Sequence, residues 1–192
     1  MRQAGKIVAA ILDLLAGKIE AGMTTKQLDD IAEKELARYG AKSSFKGYQG
    51  FPAVLCVSVN DEVVHGIPGE RVIHDGDIVS LDFGAIFNSF HGDAALTVGI
   101  GEISPETKRL LETTEGALMA GIAAARPGAH LGDVSAAIQQ HIESRGFSVV
   151  REYAGHGIGR EMHEDPQILN FGLPGKGPVL QKGMVLAIEP MV

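Results

Sequence analysis

The sequence has almost no cysteine, no tryptophan and no long apolar run. Its one cysteine, Cys56, cannot form a disulfide within the chain and cannot build a cysteine-based zinc cluster. We therefore expect a protein of a reducing compartment, with the cytoplasm as the default. No apolar stretch approaches the roughly 18 residues that a membrane-spanning helix needs, so we expect no membrane partner.

Basic residues are scarce relative to acidic ones. The 192 residues include 17 Lys and Arg against 24 Asp and Glu, a formal net charge of −7. Because a nucleic-acid-binding face must be basic to neutralise phosphates, we expect no nucleic-acid partner. Hydrophobic residues at 45% and charged residues at 21% are ordinary for a folded globule and exclude a disordered chain.

Glycine, in contrast, is abundant, at 25 of 192 residues. Apolar periodicity predicts four amphipathic helices with short strands between and after them, including a strand that begins at Phe147. At an offset of 106 residues, Gly22 matches Gly128 and Gly40 matches Gly146. In each half of the chain, the two glycines lie at the two ends of a predicted helix. This repeat predicts one α+β domain over residues 1–192. Two similar halves would place helices over a curved, mostly antiparallel sheet.

Two aspartates lie in neighbouring strand-like segments, Asp82 in VSLDFGA and Asp93 in FHGDAALTV. If Phe87 and Asn88 are the central residues of the turn between them, the two carboxylates face each other directly across a hairpin. Like charges in that position repel, and burial adds to the cost. A cation between them would resolve the conflict, whereas two unrelated edge carboxylates are the alternative.

Two histidines and a glutamate extend this set. The segment GHGIGREMHEDP contains His156 and His163, with glycine on both sides of His156. Glu189 lies in the apolar segment VLAIEPM, where a carboxylate is seldom buried without a partner. His65 precedes a Gly-Ile-Pro turn and either lines a site or lies on the surface. Carboxylates with an imidazole suit Mn²⁺, Fe²⁺, Co²⁺ or Zn²⁺, often as a pair, and predict a metal-dependent hydrolase.

Five segments carry a resemblance to a known family. They are SVNDEVVHGIP, DGDIVSLDFGA, FHGDAALTVG, REYAGHGIGREMHEDPQI and GMVLAIEPMV. With them the chain resembles type I methionine aminopeptidases over essentially its whole length. The resemblance implies the pita-bread fold and removal of the N-terminal methionine from nascent proteins and peptides with a small second residue. The alternatives are a peptidase like aminopeptidase P or prolidase, and a non-catalytic pita-bread binding module.

The resemblance also implies roles for particular residues. The ligands of two divalent ions (Mn, Fe, Co or Zn) would be Asp82, Asp93, His156 and Glu189, with Asp93 bridging. His65 and His163 would bind the substrate and stabilise the tetrahedral intermediate. The residues near the methionine side-chain pocket would be Tyr48, Phe51, Cys56, Tyr153 and Met162.

Partners and completeness follow from the same resemblance. It implies N-terminal peptides of nascent proteins as substrates, contact with the ribosome, and a monomer. The family carries one more glutamate ligand on a strand that follows the position of Glu189, and no acidic residue follows Glu189 here. We therefore expect a chain that lacks that C-terminal strand.

Overall fold

Two units make up the chain in the computed structural model, which describes residues 1–192. The first unit contains Met1–Ser104 and Gly159–Met162, and the second contains Pro105–Ile158 and His163–Val192. Each unit has two helices followed by an antiparallel sheet. The single domain over residues 1–192 stays a prediction, and the two units are described separately below.

The helices of the first unit are α1 (Arg2–Ala16) and α2 (Thr25–Arg38). Helix α1 buries an apolar stripe, as its periodicity predicts. Helix α2 begins with a capping box, in which the Thr24 hydroxyl accepts from the Gln27 N–H and the Gln27 side chain accepts from the Thr24 N–H. The structure therefore confirms the two helices predicted for this part of the chain.

The sheet of the first unit contains β1 (Lys42–Ser43), β2 (Leu55–Val59), β3 (Ile78–Phe87) and β4 (Phe90–Gly99). All pairings are antiparallel, and β3 pairs with each of the other three strands. All five residues of β2 are buried. Strand β3 is therefore the central strand of this sheet, with β2 and β4 on either side of it.

A buried carboxylate fixes the start of β2. Asp29 on α2 is 6% exposed and accepts hydrogen bonds from the N–H groups of Val54 and Leu55 at 2.9 and 3.1 Å. Strand β2 carries Cys56 immediately after these two residues. Asp29 thereby sets where Cys56 lies in the sheet.

The second unit contains α3 (Pro105–Ala124), α4 (Leu131–Glu143), β5 (Ala154–Gly157), β6 (Glu164–Leu169) and β7 (Leu186–Ala187). Strand β5 lies between β6 and β7 and is antiparallel to both. The core includes Val134, Ile138 and Ile142, which follow helical spacing on α4. The strand predicted from Phe147 does not form, because residues 147–153 join no ladder.

The predicted repeat is visible in the local backbone of both units. Gly22 and Gly128 have φ of +93° and +89°, and each comes two residues before an N-cap. The N-caps are Thr24 and His130. In both, the side chain three residues later accepts a hydrogen bond from the N-cap N–H at 2.8 Å. The two units thus start their second helix in the same way.

None of the four helices combines the length and apolar composition that crossing a bilayer requires.

Candidate metal centre

The two predicted aspartate ligands lie on the β3–β4 hairpin, but the predicted register is wrong. Asp82 pairs with Ala95, and Asp93 pairs with Gly84. The direct pairing of Asp82 with Asp93 therefore does not occur. The ladder is shifted by two residues relative to the sequence-based expectation.

The turn of this hairpin explains the shift. Its central residues are Asn88 and Ser89, with φ of +50° and +64°, and not Phe87 and Asn88. A two-residue hairpin loop that matches the strand twist needs positive φ at both central positions, and asparagine tolerates that conformation while a bulky aromatic residue does not. Placing Phe87 in the ladder avoids that strain.

The shift keeps the two carboxylates on one face of the sheet. Side chains two residues apart on a strand share a face, so Asp82 and Gly84 point to the same side, and Asp93 is opposite Gly84. Asp82 and Asp93 are then diagonal cross-strand neighbours. Both side chains are half-buried. The two carboxylates therefore still lie close together on one face, as the prediction of a cation between them requires.

The same face of the sheet carries an apolar cluster. Cys56 pairs directly with Asp82 in the ladder of β2 and β3. Cys56 packs with Phe45 and Met162, all three at most 8% exposed, and with the half-buried Phe51. The Phe45 and Phe51 rings meet edge to face at 6.5 Å between centroids. Two aromatic rings and two sulfur atoms therefore pack together on the sheet face that carries the aspartates.

Burial in this cluster changes the pKa of the Cys56 thiol. Desolvation raises the pKa of Cys56, and the negative charges of Asp82 and Asp93 raise it further. The thiolate is the nucleophilic form of cysteine, so Cys56 is suited to packing and not to nucleophilic attack.

The other predicted pocket residues lie outside this cluster. Tyr48 is 38% exposed and begins a short 3-10 turn, Tyr48–Gly50, on the loop between Phe45 and Phe51. Tyr153 is 40% exposed and belongs to the second unit. Phe45 is a cluster member that the sequence analysis missed.

In the second unit, His156 lies at the centre of β5 between two glycines. A Cβ at Gly155 would lie 2.2 Å from the Ala187 carbonyl oxygen, and one at Gly157 would lie 2.2 Å from that of Asp165. Only glycine lets β5 approach both neighbouring backbones this closely. The glycines that the sequence places around His156 are therefore a steric requirement of the strand.

The ring of His156 has a defined orientation. Its Nδ1 lies 2.8 Å from the Gly157 carbonyl oxygen. A carbonyl can only accept, so Nδ1 carries the proton and Nε2 of the neutral ring presents a lone pair. This is the arrangement that metal-binding histidines commonly use.

The lone pair of His156 faces a carboxylate. Its Nε2 lies 3.4 Å from Oε1 of Glu189, which follows β7. A charge-assisted hydrogen bond would be shorter, about 2.7–2.9 Å. Both atoms have lone pairs, so the pair has donor atoms of the type that a divalent transition metal takes.

His163 lies beside His156, with ring centroids 4.2 Å apart and planes tilted by 51°. Both line an open cleft of about 410 Å³, whose other walls come from Ala154, Gly155, Glu164, Asp165 and Gln167. His163 is exposed. The second unit thus places an accessible imidazole next to the predicted ligand histidine.

His65 is an exposed residue in a left-handed conformation, with φ of +61°. The next residue, Gly66, lies against β2 so closely that a Cβ there would be 2.1 Å from the Val57 carbonyl oxygen. The Gly66 N–H donates to the Ser58 hydroxyl at 3.0 Å, and its carbonyl accepts from the Val57 N–H at 2.9 Å. These contacts hold His65 in a backbone conformation that non-glycine residues seldom adopt.

The predicted ligands occur as two pairs, one in each unit. Asp82 and Asp93 belong to the first unit, and His156 and Glu189 belong to the second. No group of three or more His, Cys, Asp or Glu side chains lies in a geometry that would hold a metal ion. Each pair has the donor types that a divalent transition metal prefers.

Comparison with known proteins places the chain in a family. All of residues 1–192 match the metallopeptidase family M24. Methionine aminopeptidase 1 of Bacillus subtilis is 56% identical over 192 residues, which cover the whole chain and 77% of that protein. The methionine aminopeptidase of Clostridium perfringens is 55% identical over the same shares.

Solved structures agree. The methionine aminopeptidase of Thermotoga maritima superposes with a TM-score of 0.97 at 48% identity, covering 99% of this chain and 77% of that one. The X-Pro aminopeptidase of the same species has a TM-score of 0.83 at 26% identity, over 98% of this chain and 51% of that one. The pita-bread fold and the mixed helix and antiparallel sheet are thereby confirmed, and the proline-selective peptidases are more distant. The chain belongs to metallopeptidase family M24 and, within it, to the methionine aminopeptidases.

Proposed function

We propose that this chain is a metalloaminopeptidase that removes the N-terminal methionine from peptides with a small second residue. The observation that carries the proposal is the face of the first unit's sheet, where Asp82 and Asp93 lie beside the apolar cluster of Phe45, Cys56 and Met162. Removal of a terminal methionine needs both features next to each other. The carboxylates would hold the ions at the peptide bond, and the apolar cluster would receive the methionine side chain.

Membership of M24 implies divalent metal ions. We propose two ions of Mn, Fe, Co or Zn, which Asp82, Asp93, His156 and Glu189 would hold. The lone pair of His156 Nε2 and its 3.4 Å distance to Glu189 Oε1 support the half of this ligand set that lies in the second unit. Ions bound there would supply Lewis-acid activation of the carbonyl and of an attacking water.

His65 and His163 are proposed as the residues that bind the substrate and stabilise the tetrahedral intermediate. Both are exposed, and His163 lines the cleft beside His156. A neutral imidazole can donate one hydrogen bond and accept another, as binding a peptide carbonyl and a leaving amine requires. The constrained backbone of His65 supports this role, because strained residues concentrate at functional sites.

The methionine pocket is proposed to include Tyr48, Phe51, Cys56, Tyr153 and Met162, as the resemblance implies, with Phe45 added from the cluster. Flexible, polarisable sulfur and aromatic edges make favourable contacts with a thioether. A β-branched side chain is stiff at χ1 and adapts its shape to such a pocket less well than an unbranched one. The proposal therefore predicts selection for an unbranched side chain.

A peptide panel tests the function and separates it from that of the proline-selective relatives. The chain is incubated with Mn²⁺ or Co²⁺ and with Met-Ala-Ser, Leu-Ala-Ser or Ala-Pro-Ala, and free amino acids are quantified. We expect metal-dependent release of methionine and at least tenfold slower release from the other two peptides. Faster release from the Xaa-Pro peptide would replace the proposal with a prolidase-like activity, and no release would favour a binding module.

The cellular partners are proposed as nascent-chain N-termini at the ribosome, in the cytoplasm, with the protein acting as a monomer. The resemblance to methionine aminopeptidases supports these assignments. Light scattering is expected to give a mass near 20.3 kDa for this chain. Co-sedimentation with ribosomes tests the contact, and recovery of the chain only in the supernatant would contradict it.

A further inference from the structure

Asn170 is a fully buried polar residue that immediately follows β6. Its side-chain Nδ2 donates a hydrogen bond of 2.9 Å to the main-chain carbonyl of Glu189, nineteen residues away. Its Oδ1 is buried and has no hydrogen-bond partner. The hydrogen bond of the Asn170 side chain is therefore the one that its Nδ2 donates to the Glu189 carbonyl oxygen.

The unsatisfied oxygen makes stability a poor explanation for Asn170. A buried polar atom without a partner lowers the stability of the fold, and an apolar side chain of similar shape, such as leucine, would avoid that loss. The residue is better explained by what its donor accomplishes. That donor acts on the main chain of a proposed metal ligand.

Glu189 needs such support because the ladder ends before it. Strand β7 has only two residues, Leu186 and Ala187, which pair with Gly157 and His156. Glu189 lies two residues beyond this pairing. The hydrogen bond from Asn170 fixes its carbonyl where β7 no longer does.

We propose that Asn170 is a positioning residue that fixes the main chain of Glu189 and so holds its carboxylate next to His156 for a divalent ion. The inference rests on the proposed assignment of His156 and Glu189 as ligands. Partners of this outer kind typically change metal affinity by about 10- to 100-fold when they are removed. Asn170 itself touches neither metal nor substrate in this role.

The test compares metal affinity with stability in Asn170→Leu. Mn²⁺ or Co²⁺ binding to the 192-residue chain is followed by calorimetry, together with the visible absorption spectrum of the Co²⁺ form and the urea midpoint of the metal-free form. We expect the Kd for metal to rise about 10- to 100-fold and the Co²⁺ spectrum to change. The urea midpoint is expected to change little, because removal of the unpaired Oδ1 offsets the loss of the hydrogen bond to the Glu189 carbonyl. A residue that only supports the fold would lower the midpoint instead.

Controls separate this proposal from the ligand assignment. Ser135→Ala removes a different buried hydrogen bond of the second unit, to the Leu131 carbonyl, and is expected to keep the Kd within twofold. Glu189→Gln removes the proposed ligand itself and is expected to weaken binding at least as much as Asn170→Leu. If Asn170→Leu does not fold, Asn170→Ala, which also lacks the amide donor, is measured for metal affinity and Co²⁺ spectrum with the same expectation for those two readouts.

Each outcome has one meaning. If Glu189→Gln weakens binding and the Asn170 variant keeps the Kd within twofold, the positioning role is wrong and the ligand assignment stands. The role is also wrong if the Asn170 variant lowers the midpoint while the Kd and the spectrum stay unchanged. If neither Glu189→Gln nor the Asn170 variant changes metal binding, or if the wild-type chain binds no metal, the ligand assignment fails and this inference fails with it.

Discussion

Cys56 pairs directly with Asp82 across the ladder of β2 and β3. A buried thiol and a proposed metal-binding carboxylate are therefore cross-strand neighbours on one face of the sheet. Through this contact the apolar cluster that would receive a methionine side chain adjoins the carboxylates that would hold the ions. Two of the predictions below depend on it.

The first prediction concerns the pH dependence of stability. Burial, reinforced by Asp82 and Asp93, raises the pKa of Cys56 in the folded protein above the ordinary value of 9.0. Above that pH the unfolded chain loses the thiol proton while the folded chain keeps it, so stability falls as pH rises. We expect wild type to lose up to about 1.4 kcal/mol per pH unit more than Cys56→Ala does above pH 9. Urea unfolding of both proteins from pH 8 to 10.5 measures this, and parallel curves would contradict it.

A second prediction tests the close approach of β5 to β7. Gly155→Ala places a methyl group against the Ala187 carbonyl, which must then move. We expect a loss of about 3 kcal/mol in the free energy of unfolding, together with weaker metal binding. The matched control is Gly5→Ala on α1, where a Cβ meets nothing within 4 Å and is expected to stabilise the helix by up to about 1 kcal/mol. Equal effects of the two substitutions would show that the steric argument is wrong.

A third prediction concerns substrate selection by the apolar cluster. Met162 is 5% exposed and packs with Phe45 and Cys56. Met162→Ala is expected to cost about 2–5 kcal/mol of stability and to raise KM for Met-Ala-Ser more than it lowers kcat. Met162→Leu keeps the volume and is expected to cost less than about 1.5 kcal/mol. Steady-state kinetics with both variants checks this, and an unchanged KM in Met162→Ala would remove the residue from the pocket.

Local signals predicted the helices well. The capping box at Thr24 and the proline at the start of α3 depend only on residues within one turn, and the structure contains both. The glycines around His156 were also informative, because close backbone approach leaves few alternatives to glycine. These features needed no knowledge of distant contacts.

Features set by longer-range contacts were missed or wrong. The predicted hairpin register was wrong because two turn positions fit the residue pattern, and only the positive φ at Asn88 and Ser89 decides between them. Phe45 and Asn170 were missed since each acts on residues that are close in space and distant in sequence. The strand predicted from Phe147 has the right residue types, but residues 147–153 join no ladder, and the Val150 N–H donates to the Met191 carbonyl outside any strand. The sequence offered one pattern that could have pointed to Phe45, the glycine-containing segment FKGYQGF, which begins with Phe45 and ends with the predicted pocket residue Phe51.

The most direct test of the account is methionine release by Asp93→Asn. The substitution removes a charged ligand from the β3–β4 hairpin and keeps the size of the side chain, while Asp13→Asn on the exposed face of α1 serves as the control. Release from Met-Ala-Ser is measured with Mn²⁺ or Co²⁺ before and after EDTA treatment, alongside bound metal by elemental analysis. We expect EDTA-sensitive release in wild type and in Asp13→Asn, and a loss of more than about 100-fold in Asp93→Asn with less bound metal. Wild-type turnover and metal content in Asp93→Asn would contradict it.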